Sequence, residues 1–173
     1  IPHHFLSSSA PVTDLFWTPA DWAWIGGLFD VLLPAWHFGI PVVSHRSDKF
    51  DPEFTFSLLS KFNIKNTFLP PTALKIMKSF NPSQQINNLN LRTVGSGGEA
   101  LGEELLEWGK NILGVGINEF YGQTECNLTI SNSHLLMPAK QGSIGKPVPG
   151  HEIRLMDNQG NFVSEPGLDG EIV

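Results

Sequence analysis

The sequence predicts an α/β fold: a parallel β-α-β layered sheet with helices on both faces, followed by short antiparallel strands beginning a β-barrel-like subdomain. Three observations carry this expectation. Strand-like and helix-like patterns alternate between Pro41 and Phe120, as they do where right-handed crossovers join parallel strands. Two successive strands end in turn-forming sequence rich in glycine, Gly95-Ser96-Gly97-Gly98-Glu99-Ala100 and Tyr121-Gly122-Gln123-Thr124-Glu125. From about Gly142 the texture changes to brief runs separated by turns, among them Asp157-Asn158-Gln159-Gly160.

Taken in order, Thr18-Pro19-Ala20-Asp21 reads as a helix start, with Thr18 as cap and Pro19 at the first helical position. The helix that follows is apolar nearly all round and is expected to be buried, ending at His37-Phe38-Gly39. Pro41 to Ser44 reads as a short strand. Asp51-Pro52-Glu53 starts a second helix, in which Phe54, Leu58 and Phe62 recur every four residues and predict its inner face. Asn66 to Leu69 is the next strand, and Pro71-Thr72 opens a third helix to about Phe80. A polar loop, Asn81 to Asn90, leads to the strand Leu91 to Val94. Leu101, Leu105, Trp108 and Ile112 then form the stripe of a fourth helix, and Val115 to Phe120 forms another strand. A change of subdomain is expected between Ser131 and Gly142, dividing an α/β part (residues 1–135) from a β-rich part (residues 136–173).

Composition narrows the function classes. Hydrophobic residues make up 40% of the chain, which places it among globular and not disordered sequences. The net charge of −6 comes from mixed charges without a basic run, so a nucleic-acid partner is not expected. The six histidines lack zinc-motif spacing, and the one cysteine, Cys126, has no partner thiol. A lone cysteine fits a reducing compartment, and a cytoplasmic location is the expectation. The apolar stretch from Trp22 to Phe38 carries Asp30, Pro34 and two glycines, which suits a packed helix better than a membrane span. The chain starts at Ile1 without a methionine and stops in the strand-like Gly170-Glu171-Ile172-Val173, so a piece of a longer protein is expected.

In open parallel sheets, ligands bind at the carboxyl ends of the strands. The two glycine-containing turns are separated by one helix and one strand, so they are expected side by side on that rim. Gly97 and Gly98 allow close approach of backbone to a flat base. Tyr121 can stack on such a base, and Glu119 can accept a hydrogen bond from an exocyclic amine. Thr124 offers a hydroxyl to phosphate and Glu125 a hard oxygen to Mg²⁺. Together these groups describe a site for a nucleoside triphosphate. Each also has a plain structural reading. A Gly-Gly turn is commonly only a turn, and Glu99 and Glu103 suit the first turn of a helix for the sake of its dipole. Tyr121 can be core.

The paired motifs Gly97-Gly98-Glu99-Ala100 and Tyr121-Gly122-Gln123-Thr124-Glu125 resemble the signature of the adenylate-forming superfamily. Pro70-Pro71-Thr72 and Gly142-Ser143-Ile144-Gly145-Lys146-Pro147 fall in the order that superfamily shows. The run Trp17-Thr18-Pro19-Ala20-Asp21-Trp22-Ala23-Trp24-Ile25-Gly26-Gly27 resembles the acyl-CoA synthetases of small and medium carboxylic acids. The resemblance implies an ATP- and Mg²⁺-dependent ligase that forms an acyl-adenylate and passes the acyl group to coenzyme A. It implies Thr124 at phosphate and Glu125 at the metal. It also implies Gly98, Glu99, Ala100, Glu119, Phe120, Tyr121 and Gly122 around the nucleotide. Trp24 would line the acyl pocket, although tryptophans here can equally be core. At the position of Gly122, acetate-specific relatives carry a Trp that blocks the pocket, so glycine implies an acid longer than acetate. The phosphate loop, ribose carboxylate and catalytic lysine of the superfamily do not occur in these 173 residues, which are therefore expected to be inactive alone. Transfer to a carrier protein in place of coenzyme A, and a non-catalytic nucleotide-binding module, stand as alternatives.

Overall fold

The computed structural model describes residues 14–80, 89–138, 140 and 142–173. Most of the polar loop expected over Asn81–Asn90 lies outside them. A six-stranded sheet runs in the order β1 (Phe16–Trp17), β2 (Asn66–Phe68), β3 (Thr93–Gly97), β4 (Ile117–Gln123), β5 (Asn127–Ser131) and β6 (Lys146–Pro147). β1 to β4 are parallel, and β5 and β6 are antiparallel to their neighbours. A separate antiparallel sheet holds β7 (Leu155–Met156), β8 (Phe162–Val163) and β9 (Glu171–Ile172). Its expected turn is present: Asp157 Oδ1 accepts the N–H groups of Gln159 at 2.9 Å and Asn161 at 2.8 Å, and Gly160 supplies φ +84°. The six-stranded sheet thus reaches Pro147, and the smaller one begins at Leu155.

Helices cover both faces, because alternate strand residues point to opposite sides. One core gathers Trp17, Leu69, Val94 and Ile117 with α2 (Pro52–Lys61), α3 (Pro71–Ser79) and α4 (Glu103–Trp108). The other gathers Phe16, Phe68 and Phe120 with α1 (residues 25–37). α1 is a continuous run of α-helical Ile25–Gly27, π-helical Leu28–Leu32 and α-helical Leu33–His37. Pro34 has no N–H to donate, and its ring crowds the carbonyl one turn back, that of Asp30. The chain widens just before it: Leu33 N–H bonds the carbonyl of Leu28, five residues back.

The first helix departs from expectation in two ways. It starts at Ile25 and not after Thr18. The Thr18 hydroxyl donates to the Phe68 carbonyl at 2.8 Å and accepts from Ala20 N–H at 3.1 Å, so it ties the strand end to β2 and is not a helix cap. Nor is the helix buried all round. It lies on one sheet face, so Gly27, Asp30, Val31, Leu32 and Ala35 are enclosed, while Trp36 and Phe29 are exposed.

Smaller differences have local causes. Asp51 caps α2 as expected, accepting from Glu53 N–H at 2.9 Å and Phe54 N–H at 3.2 Å. The inner face of α2 is Thr55, Phe56, Leu58 and Leu59; Phe54 and Phe62 are exposed. Leu101, ahead of α4, and Leu105 and Trp108 within it are buried as expected, but Leu113 replaces Ile112. A π-helical stretch, Gly109–Leu113, follows α4, and its wider turn moves the stripe on by one residue. The strand expected over Pro41–Ser44 is a single bridge from Val42 to Phe16, and the edge strand β1 was not anticipated. At the amino ends of the strands a polar network closes the sheet: Asn66 Nδ2 donates to Asp14 Oδ2 at 3.1 Å, and Arg92 bonds both residues.

Candidate functional site

The two motifs lie side by side at the carboxyl ends of β3 and β4, where Gly97 pairs with Phe120. Both strands run further than the sequence suggests. β3 continues to Gly97, and β4 carries Tyr121, Gly122 and Gln123 as strand residues, so the turn proper is Thr124 to Cys126. β5 then returns antiparallel. It was not anticipated, although Leu128 and Ile130 alternate with Asn127, Thr129 and Ser131 in the way of a half-buried strand.

The glycines act differently from one another. Gly98 adopts φ +104° and faces open space, so its backbone is exposed and its conformation, not crowding, requires glycine. A Cβ on Gly122 would lie 2.0 Å from the carbonyl oxygen of Asn127. The register shift between Tyr121 and Gly122 brings the hairpin backbones this close. Gly122 borders the pocket described below, but its lack of a side chain is explained by this close approach. It is therefore not itself a sign of room for an acyl chain.

Glu119 joins the two turns. It is buried, and its Oε1 accepts the Leu101 N–H at 2.9 Å, holding the end of the Gly97–Ala100 turn against β4. Its own N–H donates to Asn132 Oδ1 at 2.9 Å. Tyr121 shares this sheet face by alternation and is half-buried, with its hydroxyl 3.3 Å from Gln123 Nε2. Glu99 and Ala100 are exposed, and Glu99 pairs with Lys75 at 2.9 Å. Thr124 and Glu125 are exposed at the hairpin tip, and their side chains have no partner among the described residues. That tip fits an external phosphate and metal. Glu125 alone cannot complete a Mg²⁺ shell, so the other oxygens would come from phosphate and water.

On the other side of the same strand ends lies a pocket of about 310 Å³. Its rim is Gly97, Gly98, Glu99 and Gly122, and its apolar walls include Trp24, Ile25, Phe68, Phe120 and Leu128. Phe68 and Phe120 are stacked with ring centroids 5.6 Å apart. Trp24 is 73% exposed, so it is a pocket residue and not core. Pro70, Pro71 and Thr72 supply a third strand end.

Asp30 also lines this pocket and is only 3% exposed. Its Oδ1 has no hydrogen-bond partner, and burial pushes its pKa up to about 7. In the sequence Asp30 stands out only as a charge that speaks against a membrane span. The signal for more was there, since an ionisable residue in an otherwise apolar helix calls for a partner. Among the described residues no helix is long and apolar enough to cross a membrane.

Comparison with known proteins agrees with the fold. The acyl-coenzyme A synthetase ACSM2B, mitochondrial, of Homo sapiens is 33% identical over 163 residues, covering 92% of this chain and 27% of that protein. The crystal structure of a Brucella canis acyl-CoA synthetase superposes with a TM-score of 0.82 at 29% identity, covering 91% of this chain and 29% of that one. O-succinylbenzoate coenzyme A synthetase from Bacillus subtilis, solved in complex with ATP and magnesium ion, superposes with a TM-score of 0.78 at 25% identity, covering 95% and 33% of the two chains. The chain thus spans about 27% of the length of its curated relative. A match to the AMP-binding enzyme family extends over residues 2–173, and the chain belongs to that family.

Proposed function

We propose that this chain forms the nucleotide- and acyl-facing rim of an ATP-dependent carboxylic acid–CoA ligase whose acid is longer than acetate. The observation that carries the reading is the placement of two motif turns at adjacent parallel strand ends, tied by Glu119, beside an apolar pocket of about 310 Å³.

In this reading the sheet edge divides the work. The nucleotide base lies on the Tyr121 face, against the backbone of Gly98 to Ala100, with Glu119 and Phe120 fixing that backbone. The acyl chain enters the opposite pocket, between Trp24 and the Phe68–Phe120 pair. The acid's carboxylate then meets the α-phosphate at the strand end, where Thr124 donates a hydrogen bond to phosphate oxygen. Mg²⁺ held by Glu125 would neutralise charge on the phosphates. The carboxylate oxygen forms a bond to the α-phosphorus, pyrophosphate leaves, and the thiol of coenzyme A subsequently displaces AMP. Hydrogen-bond donors already fixed in place supply most of the help such charge development needs. An acid longer than acetate is favoured by the apolar walls, since each further methylene buried there contributes about 0.8 kcal/mol.

The test is acid-dependent ATP–pyrophosphate exchange by the full-length protein, with acids from acetate to octanoate, followed by thioester formation with coenzyme A. Exchange that rises from acetate to a four- to six-carbon acid supports the reading. Exchange without thioester would favour a carrier-protein acceptor, and nucleotide binding without exchange would favour a non-catalytic module.

A further inference from the structure

We propose that Asp30 is a specificity-determining residue that binds an ammonium group on the acyl chain, so that the acid taken by this pocket is an amino-bearing carboxylic acid and not a plain alkyl acid. The proposal rests on the ligase reading above and names the substrate class of that same site.

The argument begins with the cost of the residue. A carboxyl group enclosed by Phe68, Phe120 and Leu128 loses its hydration, and an unpaired charge in such a place is strongly unfavourable. Protein partners normally offset that cost. Among the described residues Oδ1 has none, and no Lys, Arg or His lines the pocket. Burial, the largest influence on it, raises the Asp30 pKa to about 7.

A second unsatisfied acceptor borders the same pocket. Asn127 Oδ1 is buried without a partner, and Asn127 sits in the positive-φ conformation (φ 56°) that closes the β4–β5 hairpin. Asp30 and Asn127 both line the cavity, so a ligand that donates hydrogen bonds would meet a carboxyl group and an amide there. A cation fits better than a neutral donor for two reasons. It can pair with the carboxylate of Asp30, and the aromatic rings of Trp24, Phe68 and Phe120 favour an ammonium group over a hydrated anion. A metal ion fits poorly, because a hard cation needs several oxygen ligands. No group of three or more His, Cys, Asp or Glu side chains that could hold one occurs among the described residues.

The geometry also gives the ligand a direction. Gly98 at the rim is exposed, whereas Asp30 is enclosed. An acid with its carboxylate at the rim and its amine further along the chain would meet each group where it is needed.

The experiment uses the full-length protein and matched acid pairs: butanoate with 4-aminobutanoate, and hexanoate with 6-aminohexanoate. The readout is kcat/KM for ATP–pyrophosphate exchange by the wild type, Asp30→Asn and Asp30→Leu. The proposal expects the wild type to prefer at least one amino acid over its alkyl partner by tenfold or more. Asp30→Asn should reduce that ratio at least tenfold, mainly through KM. Asp30→Leu should reverse it, the amino acid losing far more exchange than its alkyl partner. A wild-type preference for the alkyl member of both pairs, unmoved by either substitution, overturns the proposal and leaves the ligase reading standing. Absence of exchange with every acid overturns the ligase reading, and this proposal with it. Thermal melts run alongside, and if neither variant folds, the wild-type ratios decide.

Discussion

Glu119 Oε1 and the Leu101 N–H, 2.9 Å apart in the interior, fasten the end of one motif turn to the strand that carries the other. The two motifs are therefore one mechanical unit. Removing the carboxylate leaves a buried N–H without an acceptor, a loss of about 1–3 kcal/mol. Glu119→Ala should lower unfolding free energy in urea by that amount. Glu119→Gln, which keeps an acceptor oxygen in reach, should cost less. Equal stability of Glu119→Ala and the wild type would show that the bond does not hold the turn.

Asp30 predicts a pH dependence of stability. Its folded pKa, about 7, lies above the ordinary value of 3.8, so the native state binds the proton more tightly than the unfolded chain. The stability this group contributes is complete below about pH 4 and is lost as pH rises towards and through 7. The full span is on the order of 4 kcal/mol. Chemical denaturation of the wild type and Asp30→Asn across that window should show the variant gaining relative stability as pH rises. Parallel curves would place Asp30 in a less enclosed environment.

Gly122 separates two explanations of one residue. A Cβ there meets the Asn127 carbonyl oxygen at 2.0 Å, so even Gly122→Ala should force the hairpin apart, at a cost of about 1–3 kcal/mol. Gly122→Trp should then lower activity of the full-length protein toward every acid from acetate to octanoate, together with the melting temperature. Loss confined to the longer acids, with acetate retained, would show that the indole enters the pocket and that the strand moves to admit it.

Much of the sheet was legible in the sequence, for reasons that differ by element. Asp51-Pro52 announces a capped helix by itself, and Pro71 opens another, because both act within one turn of chain. The rim position of Gly97-Gly98 and Tyr121-Gly122 followed from alternation of strand and helix. β1, with only Phe16 and Trp17, was too short to show a period, and it exists because neighbouring backbone pairs with it. The exposed side of α1 is not legible because Trp36 and Phe29 are as apolar as the residues that face the sheet; composition does not reveal which side is covered. The Glu119–Leu101 bond and the isolation of Asp30 are tertiary facts. No local pattern separates a carboxylate with a partner from one without.

The reading of the hairpin tip as the phosphate and metal face is tested most directly by Glu125→Gln in the full-length protein. Glu125 is exposed and has no partner among the described residues, so the substitution should leave the melting temperature unchanged. Its charge is the group assigned to Mg²⁺, so acid-dependent ATP–pyrophosphate exchange should fall by roughly 10²-fold, on the order of 3 kcal/mol of transition-state stabilisation. Exchange at the wild-type rate, or a loss that follows the melting temperature downward, would contradict the assignment.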